Sequence, residues 1–162
     1  MTAAVLDRAE DFASGLPVGG SLLGLDLGTR TIGIAISDIR RRIATPVETL
    51  RRSKFQADAT RLLDIAEKRS AVGIVLGLPR NMDGSEGPRC QATRSFARNF
   101  SQRTHLPLTF ADERLSTVAA ERALLAADAS RARRREVIDA VAAGFILQGF
   151  LDRLANLEHE NE

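Results

Sequence analysis

The sequence predicts a single α/β domain with the element order βββαβαβαα. Its first part contains three strand-like segments joined by short turns, which favours an antiparallel meander over residues 22–27, 32–38 and 43–50. Residues 71–77 form an almost unbroken apolar run, typical of a strand buried on both faces of a parallel sheet. A chain of 162 residues suffices for one domain with a substantial core.

Helical patterns alternate with the later strands. Ser53 followed by Gln56 is a capping-box signature, which predicts a helix start, and apolar residues then recur at helical spacing to about Arg69. The remaining elements are predicted in the order helix, strand, helix, helix, over residues 87–104, 107–112, 116–127 and 134–154.

The two ends of the chain differ in charge from its middle. Residues 1–20 and 152–162 together hold seven acidic and two basic residues, which leaves 21 basic against 14 acidic residues, about +7, between them. We interpret residues 1–20 as a tail or a short helix before the domain, residues 21–154 as the domain, and residues 155–162 as an acidic tail. The basic middle favours a polyanionic partner.

Two classes of protein are disfavoured by the sequence. No apolar run reaches the roughly 18 residues of a membrane span, and Asp7, Glu10 and Asp11 replace the basic start of a secretory signal. The single cysteine, Cys90, can form neither an internal disulfide nor a zinc site with other cysteines. We therefore expect a cytoplasmic protein with no membrane partner.

Arginine dominates the basic residues, with 21 Arg against two Lys. It suits bidentate contacts with phosphate. Clusters occur at residues 40–42, 51–52 and 131–135, and each could instead be a solvated turn or helix start. The chain has no Tyr or Trp, so it has none of those side chains to stack on the bases of a single strand.

Acidic residues occupy positions where apolar residues are expected. Asp26 lies late in the first predicted strand, Asp112 and Glu113 end the last strand, and Asp139 lies on the apolar stripe of the last helix. Carboxylates brought together repel one another, and divalent cations relieve that repulsion. The pattern therefore predicts a site for Mg²⁺ or Mn²⁺, the cations that prefer oxygen ligands.

Four segments of the sequence resemble the signatures of the YqgF/RuvX family of ribonuclease H-like proteins. In chain order they are LLGLDLGTRTIGIAISD, VLGLPRNMDGSEGP, DERLST and VIDAVAAGFILQGFLD, and they run from about Leu22 to Leu154. Proteins of that family are named as Holliday junction resolvases or as pre-16S rRNA nucleases. The resemblance implies a three-layer α/β/α fold with a mixed five-stranded sheet whose second strand is antiparallel to the others.

The resemblance also implies a set of metal ligands and catalytic residues. Asp26 and Asp139 match the family positions. DERLST supplies both Asp112 and Glu113, of which at most one reaches the metal because neighbouring strand residues face opposite ways, and we prefer Glu113. The fourth strand is followed by GLP, with only Asp83 farther along the loop, so the number of metals stays open.

The implied chemistry is phosphodiester hydrolysis with two cations bridged by Asp26. Gly28 and Thr29 would let the backbone approach the scissile phosphate. The remaining candidates for nucleic-acid contacts are arginines expected to position phosphates: Arg30, Arg80, Arg114, Arg133, Arg134 and Arg135.

Several functions remain open at this point. We favour 5′ processing of precursor 16S rRNA in ribosome biogenesis, with a Holliday junction resolvase and a non-catalytic RNA-binding module as alternatives. The Asp-Leu-Gly-Thr turn also resembles the phosphate hairpin of actin-like ATPases, but those enzymes need more than twice this length. The expected partner is structured RNA or branched DNA, bound by a monomer or a homodimer.

Overall fold

The structure of the protein, a computed structural model, describes residues 2–115 and 131–160. Its strands are β1 (Val5–Leu6), β2 (Ser21–Leu27), β3 (Thr31–Ser37), β4 (Ala44–Arg51), β5 (Ala71–Leu78) and β6 (Leu108–Asp112). Its helices are α1 (Ala9–Ser14), α2 (Phe55–Lys68), α3 (Pro88–Ser101), a 3-10 turn (Glu113–Leu115) and α4 (Arg131–Glu160). The predicted helix over 116–127 lies outside the described residues.

The strands form one mixed sheet in the order β1-β6-β5-β2-β3-β4. β3 runs antiparallel to both of its neighbours, whereas the pairs β2–β5, β5–β6 and β1–β6 are parallel. The predicted fold class is confirmed, and each of the five predicted strands lies within one residue of its observed bounds. The sheet differs from the expected five strands by the addition of the two-residue β1.

Alternate residues of the central strands point into two separate cores. Leu23 and Leu25 of β2 pack with residues of α2 and α3 on one side of the sheet. Leu22, directly before Leu23, packs with residues of α1 and α4 on the other side. The molecule therefore has three layers, and the α4 side of β2 is the side toward which even-numbered residues point.

The N-terminal segment packs more tightly than a tail. Leu108 donates its backbone N–H to the Ala4 oxygen at 2.9 Å. Phe12 of α1 is fully buried and meets Phe150 of α4 edge to face, with 5.7 Å between ring centroids. The expected short helix is present, together with a strand that the sequence analysis did not predict. Both elements cover the β6 side of the sheet.

Two helix ends differ from prediction. α2 begins at Phe55 with Lys54 as its N-cap, and Ser53 instead donates its backbone N–H and hydroxyl to the buried carboxylate of Asp58. The capping-box prediction is therefore wrong, because Asp58 takes the role that the signature gave to Gln56. α4 extends through most of the predicted acidic tail. Within the described part of the chain, no helix combines the length and apolar character needed to cross a membrane.

Candidate active site

Asp26 lies between two glycines in a row that crosses the centre of the sheet. In β2 it pairs directly with Gly33 of β3. On the other side Leu25 pairs with Leu76 of β5, which places Gly77 next to Asp26. The Asp26 side chain is only 5% exposed and points toward α4, as does Gly24 two residues earlier, which lies against Leu147.

Gly33 brings the backbone of α4 to the edge of this row. A Cβ atom at Gly33 would lie 1.9 Å from the backbone oxygen of Asp139, so no other residue fits there without displacing the helix. Asp139 is thereby placed beside the strand position that faces Asp26. The missing side chain of Gly33 therefore lets α4 bring Asp139 to this part of the sheet.

Thr31 is a site residue that the sequence analysis missed. It begins β3 two residues before Gly33 and points to the same face, and its hydroxyl donates a hydrogen bond to Oδ2 of Asp139. The bond fixes the orientation of that carboxylate beside Gly33. The signal that could have identified it is a hydroxyl residue two positions before Gly33, on the same face of β3 and next to the hairpin turn.

Gly77, on the other side of Asp26 from Gly33, lies close to a further carboxylate. A Cβ at Gly77 would lie 2.8 Å from Oε1 of Glu113 and 2.9 Å from Cδ1 of Ile146 in α4. The Glu113 carboxylate therefore lies on the α4 side of the sheet, over the residue next to Asp26. Of the two adjacent acids left open by the sequence, Glu113 is the one on the Asp26 side.

Asp112 is held by arginines instead. It accepts hydrogen bonds from Arg114 at 2.7–3.1 Å, and Arg80 lies 3.8 Å away. Burial by itself would raise the pKa of the Asp112 carboxyl, but the bonds from Arg114 and the two positive charges outweigh it and lower that pKa. In β6 it shares its side of the strand with Phe110, opposite to Glu113's direction. Its charge is already balanced by the protein.

The carboxylates of Asp26, Asp139 and Glu113, here called the carboxylate row, have the oxygen donors that a hard cation prefers. They stand apart in this structure. Among residues 2–115 and 131–160, no three His, Cys, Asp or Glu side chains lie close enough together to hold one metal ion. The glycine contacts nevertheless place Asp139 and Glu113 on either side of Asp26. Like charges of this kind separate unless a cation draws them together. In chemical type, the oxygen donors of these residues fit Mg²⁺ or Mn²⁺.

The hairpin after Asp26 is rigidly held at its base and open at its tip. Gly28 donates its N–H to the Thr31 oxygen at 2.9 Å, and its own oxygen accepts a 2.6 Å hydrogen bond from Arg52. Thr29 and Arg30 at the tip are exposed. Both predicted contact residues are thus presented beside the carboxylate row.

The other arginine candidates have different surroundings. Arg114 donates to Asp112, and Arg80 lies 3.4 Å from Glu86, so the predicted phosphate contacts would compete with internal ion pairs. Arg133, Arg134 and Arg135 belong to the first turns of α4, and their side chains lie outside the described residues.

Two further residues singled out by the sequence have structural roles. Arg41 of the first arginine cluster donates to the oxygens of Pro17, Gly19 and Gly20 at 2.8–3.1 Å, so it ties the turn after β3 to the segment before β2. The Asp83 carboxylate accepts hydrogen bonds from the Ser85 hydroxyl and N–H within its own loop. The hydroxyl bond, followed by the backbone bond, lowers the pKa of Asp83.

Comparison with known proteins places this architecture in a family. A family model described as "RuvX: Holliday junction resolvase" matches residues 20–153. The chain belongs to the RuvX family. The match begins directly before β2 and includes every residue of the carboxylate row, whereas β1 and α1 lie outside the RuvX segment.

Similar chains of high identity carry the name "Putative pre-16S rRNA nuclease". One from Cereibacter sphaeroides (strain KD131) is 68% identical over 154 residues, covering 95% of this chain and 96% of the relative. Another from Ruegeria pomeroyi is 64% identical over 153 residues, covering 94% and 99%. Both alignments are longer than the 134 residues of the family match, so they extend beyond the RuvX segment.

Solved structures of RuvC from Thermus thermophilus resemble the RuvX chain in fold. One superimposes with a TM-score of 0.51 at 13% identity, covering 83% of this chain and 96% of RuvC. A second, of RuvC in complex with a Holliday junction substrate, gives a TM-score of 0.50 at 12% identity. At such identity the likeness concerns the fold alone, and it agrees with a ribonuclease H-like arrangement.

Proposed function

We propose that this protein is a divalent-metal-dependent nuclease that cleaves phosphodiester bonds at the 5′ end of precursor 16S rRNA, in the cytoplasm, during ribosome biogenesis. The observation that carries the proposal is the approach of α4 and of the Glu113 turn to Asp26 across Gly33 and Gly77. Relatives 64–68% identical over nearly the whole chain and named for this substrate support the choice of RNA.

Asp26, Glu113 and Asp139 would hold Mg²⁺ or Mn²⁺ in this site. Bound there, the cations would supply a water-derived hydroxide and neutralise the charge on the leaving oxygen. The protein contributes placement: Asp26 is fixed in the sheet, and Thr31 orients Asp139 so that Oδ1 faces away from the hydrogen bond. Asp112 takes no part, because arginines already hold it.

The hairpin tip would position the scissile strand. Thr29 and Arg30 are exposed directly after the strand that carries Asp26, and the contact between Arg52 and the Gly28 oxygen keeps the tip from moving away. A guanidinium group at Arg30 can contact a phosphate without reading a base. We therefore expect cleavage to depend on the shape of the nucleic acid more than on its sequence.

The proposal is tested with purified protein and labelled substrates incubated side by side with Mg²⁺ or Mn²⁺. The substrates are precursor 16S rRNA ends, a four-way DNA junction, and plain RNA and DNA duplexes. We expect product from precursor rRNA, and none when Asp139→Asn replaces the parent protein. Binding of the RNA without product in either metal would overturn the proposal and support a non-catalytic RNA-binding module.

Resolution of a Holliday junction is the second candidate function, favoured by the description of the matching family model. A four-way junction has near two-fold symmetry, so paired cuts favour a two-fold symmetric homodimer. Processing of one RNA end requires only a monomer. Product from the junction alone, by a protein that sediments as a dimer, would select this second function over the first.

A further inference from the structure

A cavity of about 670 Å³ lies beside the carboxylate row, at the C-terminal ends of β5 and β6. Its walls come from the start of α1, from the ends of β5 and β6, and from α4. Pockets of roughly 300–1,000 Å³ are typical of sites for small molecules and single nucleotides. The α1 wall belongs to the N-terminal segment, outside residues 20–153 of the family match.

The cavity and the Glu113 carboxylate share a common boundary. Ile146 of α4 lines the cavity, and its Cδ1 lies at the same Gly77 position as Oε1 of Glu113. Asp112, the residue before Glu113, also lines the cavity. A strand of nucleic acid with one phosphate at the carboxylates would therefore bring a neighbouring nucleotide to the cavity.

Three arginines from three different elements face this cavity: Arg8 before α1, Arg80 after β5 and Arg153 in α4. Their contacts with carboxylates are long, at 3.6 Å for Arg8, 3.7 Å for Arg153 and 3.4–3.8 Å for Arg80. Charge-assisted hydrogen bonds are about 2.7–2.9 Å long. All three guanidinium groups therefore keep N–H donors for a further anion.

A second observation shows that Arg80 has a hydrogen-bond donor available for an anion. Its Nε atom is buried and, within the described part of the chain, has no hydrogen-bond partner. A buried donor without an acceptor costs free energy, so the observed orientation of Arg80 is not its best possible one. An anion that drew the guanidinium group toward the cavity would relieve this cost.

Most of the acidic residues in the walls are bonded to groups that do not line the cavity. Asp7 lies 2.8 Å from Arg94, and Asp112 lies 2.7 Å from Arg114. Asp152 accepts a 3.1 Å hydrogen bond from Gln148. Only Glu10 lies between two cavity arginines. Arginines outside the cavity thus balance Asp7 and Asp112, which leaves Glu10 and Asp152 against the three cavity arginines.

We propose that this cavity binds one phosphate-bearing nucleotide of the substrate strand, adjacent to the scissile bond. The phosphate lies among Arg8, Arg80 and Arg153, and the nucleoside lies along the α4 wall at Gly149. The inference rests on the proposed function in taking nucleic acid as the substrate. It assigns to the N-terminal segment a role in substrate binding, through Arg8.

The test measures binding of a labelled eight-nucleotide single-stranded RNA to Asp139→Asn protein, so that cleavage does not interfere. Arg8→Gln and Arg153→Gln are combined in that background, and the matched control combines Arg61→Gln and Arg98→Gln, exposed residues of α2 and α3. The Arg8 and Arg153 side chains are 71% and 51% exposed, so the fold tolerates their replacement.

We expect the cavity variant to raise Kd about tenfold or more. Its plot of log Kd against log salt concentration should lose about 1.4 in slope, since each phosphate contact to a single strand contributes about 0.7. The control should show a smaller change in both. Equal Kd values and equal slopes in the two variants would overturn the proposal.

This outcome is separate from that of the proposed function. If the parent protein cleaves no substrate but the cavity variant loses RNA affinity relative to the control, the cavity assignment stands and the nuclease proposal falls. If the parent cleaves precursor rRNA and the cavity variant binds as the control does, the cavity assignment alone falls.

Discussion

Two groups of acidic residues lie near the ends of the central strands, and they differ in the side chains that surround them. Asp112 and Glu86 are held by arginines: Arg114 binds Asp112 at 2.7 Å, and Arg94 binds Glu86 through two contacts of 2.6 and 2.8 Å. Asp26, Asp139 and Glu113 form a glycine-framed group: they lie beside Gly33 and Gly77, and Asp139 accepts a hydrogen bond from the Thr31 hydroxyl. The first group is neutralised by arginines, whereas the second places its carboxylates along one face of the sheet.

The difference shows how neighbouring acids in one sequence acquire different roles. Asp112 and Glu113 are adjacent, yet Asp112 ends β6 bound to arginine, whereas Glu113 begins the 3-10 turn with its carboxylate near Gly77. An arginine-bound carboxylate stabilises the fold and needs no ligand. A carboxylate placed beside another carboxylate gains most from a cation.

The largest expected effect is on cleavage by variants of the two groups. Asp139→Asn should lower the rate on precursor rRNA by about 10³-fold or more, since a catalytic cation supplies several kcal/mol and each 1.36 kcal/mol is a factor of ten. Asp112→Asn should keep the rate within about tenfold of the parent. Single-turnover assays compare them. Equal losses in both variants would erase the distinction between the two groups.

Gly33→Ala should cost the most stability. The added Cβ would meet the Asp139 backbone oxygen at 1.9 Å, which forces α4 away from β3. Overpacking typically costs about 1–3 kcal/mol, and a clash with backbone belongs at the upper end of that range. Urea unfolding measures it, with Gly15→Ala as the control, since a Cβ there has no neighbour closer than 3.8 Å. A Gly33→Ala protein as stable as this control would show that α4 does not depend on Gly33.

Substitutions of Thr31 test whether the orientation of the Asp139 carboxylate affects cleavage and metal binding. Thr31→Val keeps the shape of the side chain but removes the hydroxyl that donates to Asp139. A hydrogen bond to a charged group contributes about 1.5–3 kcal/mol, so we expect roughly tenfold or greater loss of kcat and a weaker affinity for Mn²⁺ by calorimetry. Thr31→Ser should restore most of both. Failure of serine to do so would mean that the methyl group, rather than the hydroxyl, is what matters.

The smallest expected effect lies in the arginine-held group and depends on pH. The hydrogen bonds from Arg94 hold the pKa of Glu86 below its ordinary value of 4.5. Because the pKa is lowered on folding, Glu86 stabilises the protein above about pH 4.5, and this contribution disappears as pH falls through the lower folded value. Glu86→Gln should cost about 1 kcal/mol or less at pH 7. Urea titrations at pH 7 and pH 3 should show the difference from the parent shrinking; a constant difference would contradict the ion-pair role.

Much of the fold could be predicted because the strands carry strong local patterns. The alternation in β2 and β3 and the apolar run of β5 fix those strands to within a residue. The two-residue β1 has no periodicity to detect. The burial of Phe12 depends on Phe150, far away in sequence. Contacts of that kind are set by tertiary packing, which no local pattern specifies.

The candidate site was partly predictable for the same reason. Asp26 and Asp139 stand out because a charge interrupts an apolar pattern. The choice between Asp112 and Glu113 depended on how the chain turns after β6, and the hydrogen bond of Thr31 depended on the position of α4. The capping box failed because Ser53 found a better acceptor in Asp58. Charge and periodicity identify candidates, while packing decides which of them meet.

Thermal melting with and without millimolar Mg²⁺ tests the central claim most directly, that the glycine-framed carboxylates form a cation site. At one hundred times Kd, bound Mg²⁺ stabilises the parent by about 2.7 kcal/mol, roughly 5–10 °C in Tm for a chain of this size. Asp112→Asn should show the same shift and Asp139→Asn a much smaller one, while without Mg²⁺ Asp139→Asn should melt no lower than the parent, because it removes a like charge. An Asp139→Asn protein that melts well below the parent in both conditions would contradict the account.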